Sequence, residues 1–227
     1  MTAALVFCWR HGRTAHNHGG IWQGQLDVPL DNVGRGQAED AAAAILSRRT
    51  LGEPLAIVSS DLVRASATAV TLGGLAGVEV RLDPRLREID AGRWQGLTRP
   101  EIIDAGMGED LAAWQRGDDV RIGGGERRSE VARRGAAAVR EHAETLHGGT
   151  LVVVAHGGLL RGSILDLLGM PAQRWDVLGA LGNAHWAELL PGRPAWRLQS
   201  YNLPATPMGN RFGGAPQVGD RLAEPRA

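Results

Sequence analysis

At 227 residues the chain has the length of one α/β domain, and its 43% hydrophobic and 22% charged residues are those of a globular chain with a sizeable core. Twenty-five basic residues balance 25 acidic ones, so the net charge is zero and nothing in it suggests binding to DNA, RNA or anionic lipid. Every basic residue is arginine, which excludes chemistry that needs a lysine amine: P-loop NTPases, pyridoxal enzymes and protein kinases.

The first element is the apolar run Leu5 to Trp9, too short for a helix and closed by Arg10-His11-Gly12, which predicts a buried strand. Because that charged pair follows directly, the run reads as mature structure rather than as a secretory leader. Residues 31–49 place Ala38, Ala41, Ala42, Ile45 and Leu46 at helical spacing, with Asp31 or Asn32 as N-cap and Gly52 and Pro54 beyond the end. A second apolar strand is expected at 55–59, a helix at 61–75 and a short alternating strand near a sheet edge at 78–82. Residues 83–128 are mixed in pattern, with short helices at 99–105 and 110–116, and predict an insertion covering the site. A long helix over 129–146, the most apolar strand over 151–155, a helix over 158–168 and two late strands near 184–190 and 195–202 follow. Prolines and glycines without apolar period make 204–227 an irregular tail, leaving a single domain over 1–203.

This alternation predicts a three-layer α/β/α sandwich around a mostly parallel sheet. In such sheets ligands sit beyond the carboxyl ends of the strands, a rule that gathers three stretches: Arg10-His11-Gly12, Ser59 to Arg64, and His156-Gly157-Gly158. One histidine at a strand end is more often structural than catalytic, and Arg64 alone would be a solvated helix residue. Four polar groups after three strands are harder to excuse. Two guanidiniums offer bidentate forks to phosphate oxygens, and helix N-termini after Gly12 and Gly157 can add backbone N–H groups. The expected site is a phosphate pocket containing imidazoles.

Cys8 is the single cysteine, so an intrachain disulfide and a Cys-cluster zinc site are both excluded. The apolar stretches fall far short of the roughly 20 residues that span a bilayer. No asparagine begins an N-x-S/T sequon. A cytoplasmic protein is expected, without membrane or nucleic-acid partners, and monomer and homodimer both remain open.

The stretch R-H-G-R-T-A-H-N at Arg10 to Asn17 resembles the R-H-G-x-T-x-x-N signature of the histidine phosphatase superfamily, whose fold is that of phosphoglycerate mutase. Ser59 to Ala69, Leu86 to Thr98 and Val152 to Gly158 resemble further motifs of that family, in order, so that the resemblance covers about Leu5 to Asn202. It implies that His11 accepts the phosphoryl group on nitrogen, that Arg10, Arg64 and His156 hold the phosphate, and that Glu88 is the general acid, with no metal or other cofactor. Asn17, Gln23 and Gly157 would add polar contacts to substrate; loop capping is the simpler role for Asn17 and Gln23. The chemistry is consistent, since neutral imidazole is available near pH 7 and a departing alkoxide needs a proton. Glu88 competes with Asp90 for the acid role, and without a function it would be an exposed carboxylate beside Arg87.

Mutases of the family resemble one another in an E-R-H-Y-G stretch and use a lysine beside it; Glu88-Ile89-Asp90-Ala91-Gly92 and the lack of lysine favour a phosphatase instead. Trp22 to Asp27, Gly124 to Glu126 and Leu181 to Trp186 are similar to glucosyl-3-phosphoglycerate phosphatases, which implies a small phosphorylated sugar or glycerate as substrate. A broad-specificity phosphatase would carry the same catalytic set. His16-Asn17-His18 offers a metallohydrolase alternative, weakened because Gly19-Gly20 stand where a binuclear site would supply an aspartate. A serine hydrolase is excluded, since no serine has glycine two positions before it. The non-enzymatic alternative is a phospholigand-binding module.

Overall fold

The computed structural model describes residues 2–50, 52–192 and 195–205; the predicted tail lies, from residue 206 on, outside them. Six strands form one sheet: β1 (Leu5–Arg10), β2 (Leu55–Ser59), β3 (Val80–Leu82), β4 (Thr150–Ala155), β5 (Trp186–Leu190) and β6 (Arg197–Leu203), in the order β3-β2-β4-β1-β5-β6. The first four are parallel to one another, while β5 runs antiparallel to both β1 and β6. This is the expected mostly parallel α/β sheet, with the short third strand at one edge.

Two-residue alternation in the central strands divides the core into two layers. Val6 and Cys8 of β1 and Leu151, Val153 and Ala155 of β4 face one side, where they meet α6 (Arg128–Thr145) and α7 (Gly157–Leu167). Phe7, Trp9, Val152 and Val154 face the other and pack on α2 (Asn32–Arg48) and α3 (Val63–Ala76). All of β4 is buried, as its unbroken apolar run requires. At about 1.5–3 kcal/mol per buried large apolar side chain, these strands anchor everything at their ends.

Helix boundaries follow local chemistry. Asp31 caps α2 by accepting the Gly34 N–H, and Gly77 ends α3 in the left-handed conformation. The helix expected from residue 61 begins at Val63, since Ser60 Oγ accepts the Leu62 N–H in a turn before it. Between β3 and α6 the chain forms single 3₁₀ turns, α4 (Arg99–Ile102) and α5 (Gly108–Arg116). The last two are joined by one π-type turn in which Gly106 takes φ 77°. A short α1 (Ala15–Gly19), beginning within the first motif, was not expected; Thr14 and Asn17 form its capping box.

Candidate active site

β4 lies between β1 and β2, with Arg10 opposite Ala155 and Ser59 opposite Val154, so the three strands end at one level. That register brings the three expected stretches together. His11 continues β1, its N–H donating to the Ala155 carbonyl at 3.0 Å, and Gly12 donates to Thr68 Oγ1 at 3.1 Å. A Cβ on Gly12 would stand 2.2 Å from the Gly34 carbonyl oxygen, and one on Gly34 2.0 Å from that of Arg13. Two glycines thus let the first turn of α2 press backbone to backbone against the motif.

The His11 ring is 2% exposed, and its Nδ1 lies 2.7 Å from the Gly12 carbonyl oxygen. A carbonyl only accepts, so Nδ1 carries the proton and Nε2 keeps its lone pair. Burial, then the charges of Arg10 and Arg64, hold the His11 pKa well below the usual histidine value. The same causes, burial first, lower His156, whose ring centre lies 5.1 Å from that of His11. His156 Nε2 is 2.9 Å from Ser60 Oγ, while its buried Nδ1 has no partner among the described residues. Both imidazoles are neutral at pH 7.

Arg64 is 1% exposed, so it is no solvated helix residue; its guanidinium donates to the carbonyls of Leu26 at 2.7 Å and Gly24 at 2.8 Å. Burial lowers its pKa to about 10. Arg10 donates to the Leu181 carbonyl, and its pKa is likewise lowered, by burial. Carbonyl partners fix both guanidiniums without neutralising them. Gly157 stands against Arg10: a Cβ there would meet its Nε at 3.3 Å.

Thr14, fully buried, organises the amides. Its hydroxyl lies 2.9 Å from Gln23 Oε1 and 3.1 Å from Asn17 Oδ1, and Asn183 Nδ2 donates to the same Asn17 oxygen at 3.1 Å. With both amide oxygens engaged, the NH₂ ends are the groups left to face the cavity. Asn17 therefore caps a helix and lines the site at once.

Glu88 is held in a way the sequence does not suggest. Its Oε1 accepts N–H bonds from Ile89 at 3.0 Å and Leu159 at 2.8 Å, and Oε2 accepts from Gly158 at 2.9 Å. The α7 N-terminus, expected to face phosphate directly, thus spends two of its N–H groups on this carboxylate; an anion there complements the helix dipole. Arg87 pairs instead with Asp61 at 2.8 Å. Asp90 Oδ1 accepts the Gly92 N–H, and Asp90 is not on the cavity wall.

The cavity holds about 330 Å³ and is lined by Arg10, His11, Asn17, Gln23, Arg64 and Glu88, with Trp22, Ile89 and Arg99 on its outer wall. His156 and Gly157 are not among the residues that line it. Sequence reasoning missed Thr14, Ser60, Asn183 and Arg99; only Thr14 had a signal, its spacing of three before Asn17. Among the described residues no three His, Cys, Asp or Glu side chains are grouped to hold a metal, and no helix is long and apolar enough to cross a membrane.

Residues 6–204 match the family model of the histidine phosphatase superfamily (branch 1). The chain is 44% identical over 216 residues to a glucosyl-3-phosphoglycerate phosphatase of Mycolicibacterium vanbaalenii, covering 86% of this chain and 93% of that one. It is 42% identical over 221 residues to the enzyme of that name from Mycobacterium tuberculosis, covering 90% and 97%. A solved mycobacterial glucosyl-3-phosphoglycerate phosphatase in complex with VO3 superposes with a TM-score of 0.76 at 40% identity, covering 88% of this chain and 98% of that one. With the match over residues 6–204, and with a strand-end histidine sharing its cavity with Arg10 and the buried Arg64, this chain belongs to the histidine phosphatase superfamily.

Proposed function

We propose that the protein is a phosphomonoesterase that works through a phosphohistidine at His11 and acts on glucosyl-3-phosphoglycerate. The observation that carries the chemistry is the bond from His11 Nδ1 to the Gly12 carbonyl, because it presents a neutral Nε2 to the cavity between two uncancelled guanidiniums. Nε2 attacks phosphorus while the bond to the ester oxygen breaks, its electron pair leaving on that oxygen. Arg10 and Arg64 offset the charge on the transferring phosphoryl oxygens, and the NH₂ groups of Asn17 and Gln23 add neutral donors. His156 lies beside the His11 ring, and with Nε2 on Ser60 Oγ its Nδ1, unpartnered among the described residues, is the atom left to hold a phosphate oxygen.

Glu88 supplies the proton to the departing alkoxide. Oε1 already accepts two N–H bonds and Oε2 only one, so Oε2 has the lone pair that can carry a proton toward the cavity. In the second half, water attacks phosphorus, the Glu88 carboxylate takes its proton, and the N–P bond breaks to return neutral His11 and free phosphate. No step draws on a metal.

The substrate reading rests on the named relatives and on the polar, arginine-rich cavity. Rapid quench of turnover should trap a phosphoenzyme labile to acid and stable to base, absent in His11→Ala. Phosphate release should rank glucosyl-3-phosphoglycerate above 3-phosphoglycerate. An acid-stable adduct would refute the nucleophile, and an equal or reversed ranking would refute the substrate.

A further inference from the structure

A second cavity of about 500 Å³ adjoins the phosphate site, and the mechanism above makes no use of it. Ile89 lines both cavities, and the wall between them is an edge-on indole pair, with Trp22 on the phosphate side and Trp114 on the far side at 5.9 Å. The second cavity begins at Gly158, whose N–H holds Glu88 Oε2, and runs along α7 past Arg161 to Leu165. Seven residues of helix span roughly 10 Å. It thus opens where the ester oxygen must lie if Glu88 protonates it.

Its lining is specific. Arg128 lies 3.4 Å from the centre of the Trp114 ring and donates to the Trp114 carbonyl, and Arg161 donates to the Trp175 carbonyl at 2.7 Å. Neither guanidinium has a carboxylate within ion-pair distance among the described residues, whereas Arg116 on the same wall is paired with Asp118 at 2.9 Å. The remaining acid on the wall, Asp176, is exposed. Arg161 Nε is buried without a partner among the described residues. Burial first, and then the repulsion of Arg161, lower Arg128 to about 10, against the weaker opposing attraction of Asp119 and Asp118. Cations held by carbonyls beside indole faces suit an anion carried on a ring-shaped, partly apolar body.

We propose that this second cavity receives the alcohol half of the ester and is built for an anionic glycoside: Arg128 and Arg161 bind its carboxylate, and Trp114 and Trp175 pack against its sugar. The inference rests on the reading of His11 and Glu88 as the reacting groups and deepens it by assigning the residues that select the substrate.

The test uses Arg161→Gln, and Arg128→Gln on the facing helix as a second variant should the first not fold. The ratio of kcat/KM for glucosyl-3-phosphoglycerate to that for p-nitrophenyl phosphate should fall about 10- to 100-fold through KM, the size of a lost charge-assisted hydrogen bond. Glucosylglycerate should inhibit aryl phosphate hydrolysis by the wild type and do so at least tenfold more weakly in the variant. An unchanged ratio together with unchanged inhibition overturns the cavity assignment while leaving the substrate reading intact. A wild type with no preference for the glycoside over 3-phosphoglycerate, yet inhibited by glucosylglycerate through Arg161, overturns the substrate reading while the cavity assignment stands.

Discussion

Glu88→Gln separates the proton donor from the helix cap. An amide offers one acceptor oxygen where the carboxylate offers two, and three backbone N–H groups point at this side chain. The better orientation keeps the oxygen on Ile89 and Leu159 and turns the NH₂ toward the Gly158 N–H, losing one charge-assisted bond worth about 1.5–3 kcal/mol. For a domain of this size that is a fall in Tm of about 3–12 °C, independent of any substrate. Loss of the proton, in contrast, depends on the leaving group: general acid catalysis contributes about 10²–10⁴-fold when a basic alkoxide departs and little when p-nitrophenolate does. The assay is single-turnover release of alcohol, because in the proposed cycle the same carboxylate acts again when water attacks the phosphoenzyme. The alkyl phosphate should slow by at least about 10² more than the aryl phosphate. Equal slowing on both would leave Glu88 as a cap and positioning group only, and a selective loss in Asp90→Asn would move the acid there.

His11→Ala should abolish turnover yet keep phosphate affinity, because Arg10 and Arg64 are held by carbonyls that do not involve His11; phosphate at 100 times its Kd should add about 2.7 kcal/mol of stability to both proteins, and a shift lost in the variant would refute this. The folded pKa values of His11 and His156 lie below the unfolded value of 6.5, so the unfolded chain binds more protons on the acid side. Their stabilisation is complete above pH 6.5 and is lost as pH falls below it, by up to about 1.4 kcal/mol per pH unit for each ring; a urea midpoint flat from pH 7 to 5 would contradict the neutral, buried rings. Gly12→Ala drives a Cβ onto the Gly34 carbonyl and should cost about 1–3 kcal/mol together with most of the activity, read by urea unfolding and turnover. Gly158→Ala places a Cβ 2.8 Å from Glu88 Oε1, so it should push the carboxylate off α7 toward the arginines, raising the inhibition constant for phosphate as well as lowering kcat; an unchanged inhibition constant would sink this.

The sheet and the meeting of its loops were legible because each rests on one-dimensional rules. An unbroken apolar run such as Leu151 to Ala155 can only be a central strand here, and parallel strands put their following loops at one end. The family motifs assigned His11, Arg10, Arg64 and Glu88 before any geometry. What the sequence hid depends on long-range contact. Nothing near Glu88 says that residues 158 and 159 cap it from seventy positions away, and nothing near Arg64 says that its charge ends on the carbonyls of Gly24 and Leu26. The α1 helix escaped because five residues give no period to detect, leaving only the Thr14-to-Asn17 spacing. Between β3 and α6, 3₁₀ and π turns carry no hydrophobic repeat, so the second cavity that α5 helps to line was not legible.

The site depends on keeping opposite charges apart inside one small volume. Glu88 shares the cavity with Arg10 and Arg64 and attracts both, as its effect on their pKa values records. A direct salt bridge would give each a partner and end both functions, because a neutralised guanidinium holds phosphate weakly and an ion-paired carboxylate gives up the lone pair that must carry the proton. The fold prevents this by offering each charge a competing neutral partner: backbone carbonyls of Leu181, Gly24 and Leu26 for the arginines, and the first N–H groups of α7 for the carboxylate. These partners satisfy hydrogen bonds without cancelling net charge. In the proposed mechanism this keeps the arginines cationic toward the transferring phosphoryl group and Glu88 Oε2 open toward the leaving oxygen. Gly158 leaves room for this arrangement, since a Cβ there would stand 2.8 Å from Glu88 Oε1.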